Sequence, residues 1–96
     1  NIFTYGFLGI TFKPDVDDTR ESPALWIINQ LITSKINLLV YDPNVSQSKI
    51  DIKITPYKEV LKKSDLNFIL VGHKEFINSD MSSENIIDIC NLIKDD

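Results

Sequence analysis

Apolar positions along the chain fall into two kinds of pattern. Phe3 to Ile10 is an apolar run broken by Gly6 and Gly9, as in a strand buried inside a sheet. Leu38-Leu39-Val40-Tyr41 and the continuous stretch Leu66 to Val71 repeat that pattern, and Ile86-Ile87-Asp88-Ile89 repeats it more weakly. Unbroken apolar strands are expected where helices cover both faces of a parallel sheet. Between these runs the period changes. Ala24, Ile27, Ile28 and Leu31 recur at helical spacing and give one apolar face. Leu25, Trp26 and Ile32 widen it, so this helix is expected to be buried on more than one side; Trp26 is read as helix core in preference to a surface for a partner domain. Ser22-Pro23 starts it, because a serine hydroxyl can accept a free backbone N–H and a proline at the first position lacks the N–H that would go unpaired. Pro56 opens a second helix through about Lys63, with Tyr57, Val60 and Leu61 on one side. Asp42-Pro43-Asn44 has turn chemistry. Residues 44–56 form a connection with a short extended piece at Ile52-Lys53-Ile54. Gly72 to Phe76 begins a loop or short helix, and Asn91 to Lys94 is expected to form a last helical turn.

Strands and helices in alternation predict an α/β domain: a Rossmann-like parallel sheet with flanking helices, a single small domain over residues 1–96. Ligands on such sheets sit at the carboxyl ends of the strands. The polar, non-periodic stretch from Thr11 to Glu21 leaves the end of the first strand and is long enough to suggest function. It is therefore the first candidate site.

Charge narrows the choice of ligand. The chain of 96 residues carries a net charge of -4, with 43% hydrophobic and 25% charged residues. This is ordinary globular composition. Its only adjacent basic pair is Lys62-Lys63, so no basic stripe for nucleic acid is present and no nucleic-acid partner is expected. No apolar run approaches the ~20 residues of a membrane span, and no membrane partner is expected. A single cysteine, Cys90, excludes an internal disulfide and any cysteine-rich metal site; it fits a reducing, cytoplasmic setting. No metal site is expected. The chain begins Asn1-Ile2-Phe3-Thr4 without Met and enters an apolar stretch at once, so it is expected to be a piece of a longer enzyme.

Within the 11–21 stretch, Lys13 and Arg20 lie between a strand end and a helix N-terminus, whose free N–H groups and dipole favour anions. Lysine as a point charge and arginine as a bidentate fork could together clamp a diphosphate. Asp15, Asp17, Asp18 and Glu21 are expected to pair with these cations or to bond loop amides and so fix the loop. The alternative is a solvated charged loop with surface ion pairs only.

The run Gly9-Ile10-Thr11-Phe12-Lys13-Pro14-Asp15-Val16-Asp17-Asp18-Thr19-Arg20-Glu21-Ser22-Pro23-Ala24 resembles the signature of the UDP-glucose/GDP-mannose dehydrogenase family. Val40-Tyr41-Asp42-Pro43 resembles that family's next motif, and Ser64-Asp65 resembles a recurrent step before the third strand. Gly72-His73-Lys74-Glu75-Phe76 resembles a stretch of UDP-N-acetylmannosamine dehydrogenases, which favours that subfamily slightly over UDP-glucose 6-dehydrogenases. The resemblance implies an enzyme that oxidises the C6 alcohol of a nucleotide sugar to a carboxylate in two NAD-dependent steps, with a catalytic cysteine. It implies an N-terminal domain for NAD, a central helical region for a homo-oligomer, and a C-terminal domain for the UDP-sugar. This chain resembles only the last of these, so it is expected to hold no catalytic residue and to be inactive without the rest of its parent chain. By matching position, Phe12 and Lys13 would contact the UDP-sugar and Arg20 would reach toward NAD, while Asp17, Asp18, Glu21 and Ser22 would support the loop. The product implied is a UDP-uronic acid used in polysaccharide biosynthesis.

The chain also departs from the family pattern. It lacks the cofactor fingerprint and the segment around the nucleophile, and Asp88-Ile89-Cys90 carries no arginine where some relatives have one. Cys90 reads as a small apolar residue near the last strand. Gly6-Phe7-Leu8-Gly9 lacks the third glycine of a dinucleotide fingerprint and reads as close packing and strand exit. Asp42 closes the second strand, where a dinucleotide fold would place a ribose-binding acid, but without the fingerprint it reads as a turn residue; His73 reads as structural or as part of the subfamily stretch. Two alternatives stay open: a stand-alone nucleotide-binding module, and a structural or oligomer-forming domain.

Overall fold

The computed structural model describes residues 2–11, 15, 18–77 and 85–89. Four strands alternate with helices: β1 (Tyr5–Leu8), α1 (Pro23–Thr33), β2 (Leu38–Tyr41), α2 (Tyr57–Lys63), β3 (Leu66–Ile69), α3 (Lys74–Ile77) and β4 (Ile86–Asp88). They form one sheet of order β2-β1-β3-β4 with every pairing parallel. Leu8 is in register with Tyr41 on one side and Ile69 on the other, so β1, β2 and β3 end level. The expected parallel α/β sheet is therefore present. β1 and β3 are shorter than their apolar runs, because Ile10 and Val71 are buried beyond the ladder's end rather than in it.

Adjacent strand residues point to opposite faces, and both faces are covered. Phe7 and Val40 pack with Ile10, Ile28 and Val45 on one side; Leu8 and Ile69 pack with Val60 and Phe76 on the other. Two glycines permit close approaches. A Cβ on Gly6 would collide with the side chains of Asn67, Ser64 and Val60, and Gly9 has φ 94° with Val71 backbone closely packed on it.

α1 starts as its sequence predicts. Ser22 has extended backbone, its Oγ accepts the Leu25 amide at 3.1 Å, and Pro23 follows. The helix ends where the Ser34 amide donates to the Gln30 carbonyl and Lys35 turns left-handed at φ 62°. Its buried stripe is narrower than expected. Only Ala24 and Ile28 are fully buried, and Trp26 is 63% exposed, which corrects its placement in the core. α1 meets the sheet along one line, and Trp26 falls off that line. An apolar groove of about 330 Å³ beside α1 is lined by Tyr5, Phe7, Leu31, Phe68, Leu70 and Ile89 among others. The extended piece near residue 54 survives as a single parallel bridge from Ile54 to Val40, preceded by a 3-10 turn at Gln47–Lys49 that the pattern did not predict. The expected turn at Asn91 to Lys94, and Cys90, lie outside the described residues. No helix among the described residues is long and apolar enough to cross a membrane.

Candidate functional site

The three level strand ends of β1, β2 and β3 each deliver a buried polar side chain to one place: Thr11 after β1, Asp42 after β2 and His73 after β3. Burial of polar groups is tolerable only when their hydrogen bonds are made, and here they are made to one another. The His73 ring lies 2.8 Å from Asp42 Oδ2 through Nε2, with Thr11 Oγ1 at 3.1 Å from the same nitrogen. Asp42 Oδ2 also accepts the Ile10 amide at 2.7 Å, and Oδ1 accepts the Asn44 amide at 2.7 Å. The second bond is an Asx turn, the role that Asp42-Pro43-Asn44 suggested. Both Asp42 oxygens are thus used inside the protein, and at 2% exposure the residue is not placed to meet a ribose.

The other ring nitrogen faces the signature segment. His73 Nδ1 accepts the Asp15 backbone amide at 2.9 Å and lies 3.1 Å from Asn44 Nδ2. A backbone N–H can only donate, so Nδ1 carries no proton and Nε2–H donates to Asp42. The ring is then the neutral Nε2–H tautomer. In return, Asp15 Oδ1 accepts the Lys74 amide at 2.8 Å. The far end of the segment is fixed too, since Ser22 Oγ donates to the Thr11 carbonyl at 3.1 Å while capping α1. Asp15 and Glu21 have φ 63° and 55°, left-handed values that non-glycine residues hold only when their surroundings fix them.

Arg20 is exposed at its tip, with 87% of its side chain accessible, and is bound to Asp18 by two parallel bonds of 3.0 Å from Nε and Nη2. Asp18 also accepts the Arg20 amide at 2.9 Å. The side-chain bond from Arg20, with its amide second, lowers the Asp18 pKa to about 2, and Asp18 in turn raises that of the guanidinium. Of the site residues named from sequence, Asp18, Arg20, Glu21 and Ser22 are therefore placed at the β1–α1 connection. Phe12, Lys13 and Asp17 lie outside the described residues. Asp15 bonds a backbone amide and Asp18 pairs with a cation, as expected of the segment's acids. Sequence reasoning missed Thr11 and Asn44 and gave His73 and Asp42 no shared role. The signal available was positional, since each is a polar residue one to four places beyond an apolar strand. Among the described residues no group of three His, Cys, Asp or Glu could hold a metal ion.

A level parallel sheet, with an anchored polar loop running from an inner strand to a capped helix, defines the class of α/β domain whose ligands sit at the carboxyl ends of the strands. Residues 6–95 match the UDP binding domain of the UDP-glucose/GDP-mannose dehydrogenase family, and the chain belongs to that family. It is 39% identical over 90 residues to the UDP-N-acetyl-D-mannosamine dehydrogenase of Campylobacter jejuni, covering 86% of this chain and 22% of the relative. The protein of the same name from Methanococcus aeolicus is 36% identical, covering 93% and 19%. Among solved structures, the UDP-N-acetyl-mannosamine dehydrogenase of S. aureus superimposes with TM-score 0.78 at 34% identity, over 97% of this chain and 23% of that one. The chain thus spans about a fifth of the length of these relatives. The resemblance read from the signature segment is borne out.

Proposed function

We propose that residues 1–96 are the C-terminal, UDP-sugar-binding domain of an NAD-dependent UDP-sugar 6-dehydrogenase, with UDP-N-acetylmannosamine as the favoured substrate and UDP-glucose the second. The observation that carries this reading is the signature segment pinned between the carboxyl end of β1 and the capped start of α1. Phe12 and Lys13 contact the UDP-sugar, with the lysine ammonium set against the diphosphate. Arg20 reaches toward NAD, and Asp17, Asp18, Glu21 and Ser22 support the loop. An exposed guanidinium, held in plane by Asp18 and open to solvent on its other edge, suits an anionic cofactor approaching from another domain. NAD, when bound, supplies the hydride acceptor for oxidation of the C6 alcohol to a carboxylate. This domain supplies affinity for the remote nucleotide, and that binding energy orients the reacting carbon at a site built by the rest of the chain. The parent enzyme is then a cytoplasmic homo-oligomer serving polysaccharide biosynthesis, and the isolated domain has no dehydrogenase activity.

The test is an NMR titration of this chain with UDP, with GDP as comparator and Lys13→Ala as control. Shifts clustered at residues 9–24, stronger for UDP and lost in the variant, are expected. No shifts at millimolar UDP, in this chain and in the full-length enzyme alike, would overturn the proposal.

A further inference from the structure

Resting on the reading of the 11–22 segment as nucleotide-binding, we propose that His73 is a positioning residue for it: the unprotonated Nδ1 captures the Asp15 amide and so fixes the backbone that presents the binding residues. Four observations carry this. His73 is 0% exposed, with both ring nitrogens engaged inside the protein, which leaves it no direct contact with ligand or solvent. Its partners follow two other strands, Thr11 and Asp15 after β1 and Asp42 after β2, while His73 itself follows β3, so the ring is a crosspiece rather than a local turn residue. Asp15, the residue it holds, sits at a left-handed φ of 63° that requires holding, and follows Lys13 by two positions in the chain. Finally, the contact is reciprocal, since the Lys74 amide donates to Asp15 Oδ1. Asp42 completes the device. By accepting from Nε2–H it selects the tautomer whose Nδ1 is free to accept, and it is itself held by the Ile10 and Asn44 amides. The rigid ends of β1 and β2 thereby set the position of Asp15 through one imidazole.

Two amide substitutions separate the ring's edges. His73→Asn places an oxygen near the Nδ1 position and keeps an acceptor for Asp15. His73→Gln places an NH₂ near the Nε2 position and keeps a donor for Asp42. Both variants lose stability, but the proposal expects them to diverge in the segment. The Asp15 amide stays protected from hydrogen exchange in the wild type and in His73→Asn, and exchanges freely in His73→Gln. UDP affinity falls roughly tenfold in His73→Gln, the scale of one lost hydrogen bond, and much less in His73→Asn. A merely structural histidine would lower both variants alike, and that result overturns the proposal. Should either variant fail to fold, ¹⁵N NMR of the wild-type ring decides. A pyridine-like Nδ1 coupled across the hydrogen bond to the Asp15 amide supports the assignment, and a protonated Nδ1 refutes it. If neither this chain nor the full-length enzyme binds UDP, the nucleotide reading fails, while Asp15 exchange and the ring nitrogens still report whether His73 holds the segment.

Discussion

Asp42→Asn removes one charge and one acceptor from the buried junction while keeping its shape. The carboxylate accepts three donors, from Ile10, Asn44 and His73, all at 2.7–2.8 Å. Asparagine has one oxygen. Placed at the Oδ2 position it still serves Ile10 and His73, but its NH₂ then faces the Asn44 amide, donor against donor. One unmade hydrogen bond in a protein interior costs about 1–3 kcal/mol, and two bonds that were charge-assisted become neutral ones of roughly half the strength. The sum is about 2–5 kcal/mol, a large part of the ~5–14 kcal/mol that a domain of this length holds. Near the middle of that range, ~3 kcal/mol lowers Tm by roughly 12–24 °C. The assay is thermal unfolding followed by circular dichroism, with Asp65→Asn as control. Asp65 accepts the Thr4 amide at 2.7 Å in an exposed setting, where water replaces what is lost. A Tm drop for Asp42→Asn no larger than that of the control would refute the reasoning, because it would mean that the three donors find other acceptors.

Gly9→Ala is expected to cost on the order of 2–5 kcal/mol, combining an unfavourable φ of 94° with a Cβ 2.7 Å from the Val71 carbonyl oxygen, where backbone must move; urea unfolding measures it, and a loss below about 1 kcal/mol contradicts the packing described. Asp18 should titrate near 2 in wild type and return toward 3.8 in Arg20→Gln, as read by carboxyl NMR shifts. Because the folded value lies below the unfolded one, the ion pair's contribution is whole above 3.8 and fades as the pH falls through about 2; a wild-type midpoint at or above 3.8 would contradict the pairing.

Much of this fold was legible from local patterns. Ser22-Pro23 marks the start of α1 because capping depends on neighbours in sequence, and Leu38–Tyr41 matches β2 because a short apolar run bounded by Asp42-Pro43 has few other solutions. Trp26 misled because apolar identity does not say which stripe of a helix meets the sheet. The polar junction was illegible for a different reason. Thr11, Asp42 and His73 are joined by bonds that span 31 and 62 residues, and no periodicity carries such information. Only the level ends of β1, β2 and β3 turn three unrelated positions into neighbours. The signature segment stood out because its composition is unlike that of a core, yet the residue that pins it lies two strands away.

The order of the sheet has a further consequence for how this chain reaches its native state. Of the four strands β1 comes first in the sequence but lies inside the sheet, and Tyr5 finds its neighbours only at Leu38 and Leu66. Both ladders therefore close long loops before any strand pairing is gained, an entropic cost that slows folding. Until Leu66 has emerged from the ribosome, Phe7 and Leu8 belong to an apolar strand with at least one unpaired edge. That interval is the period in which the nascent chain is most exposed to aggregation and most dependent on whatever shelters it.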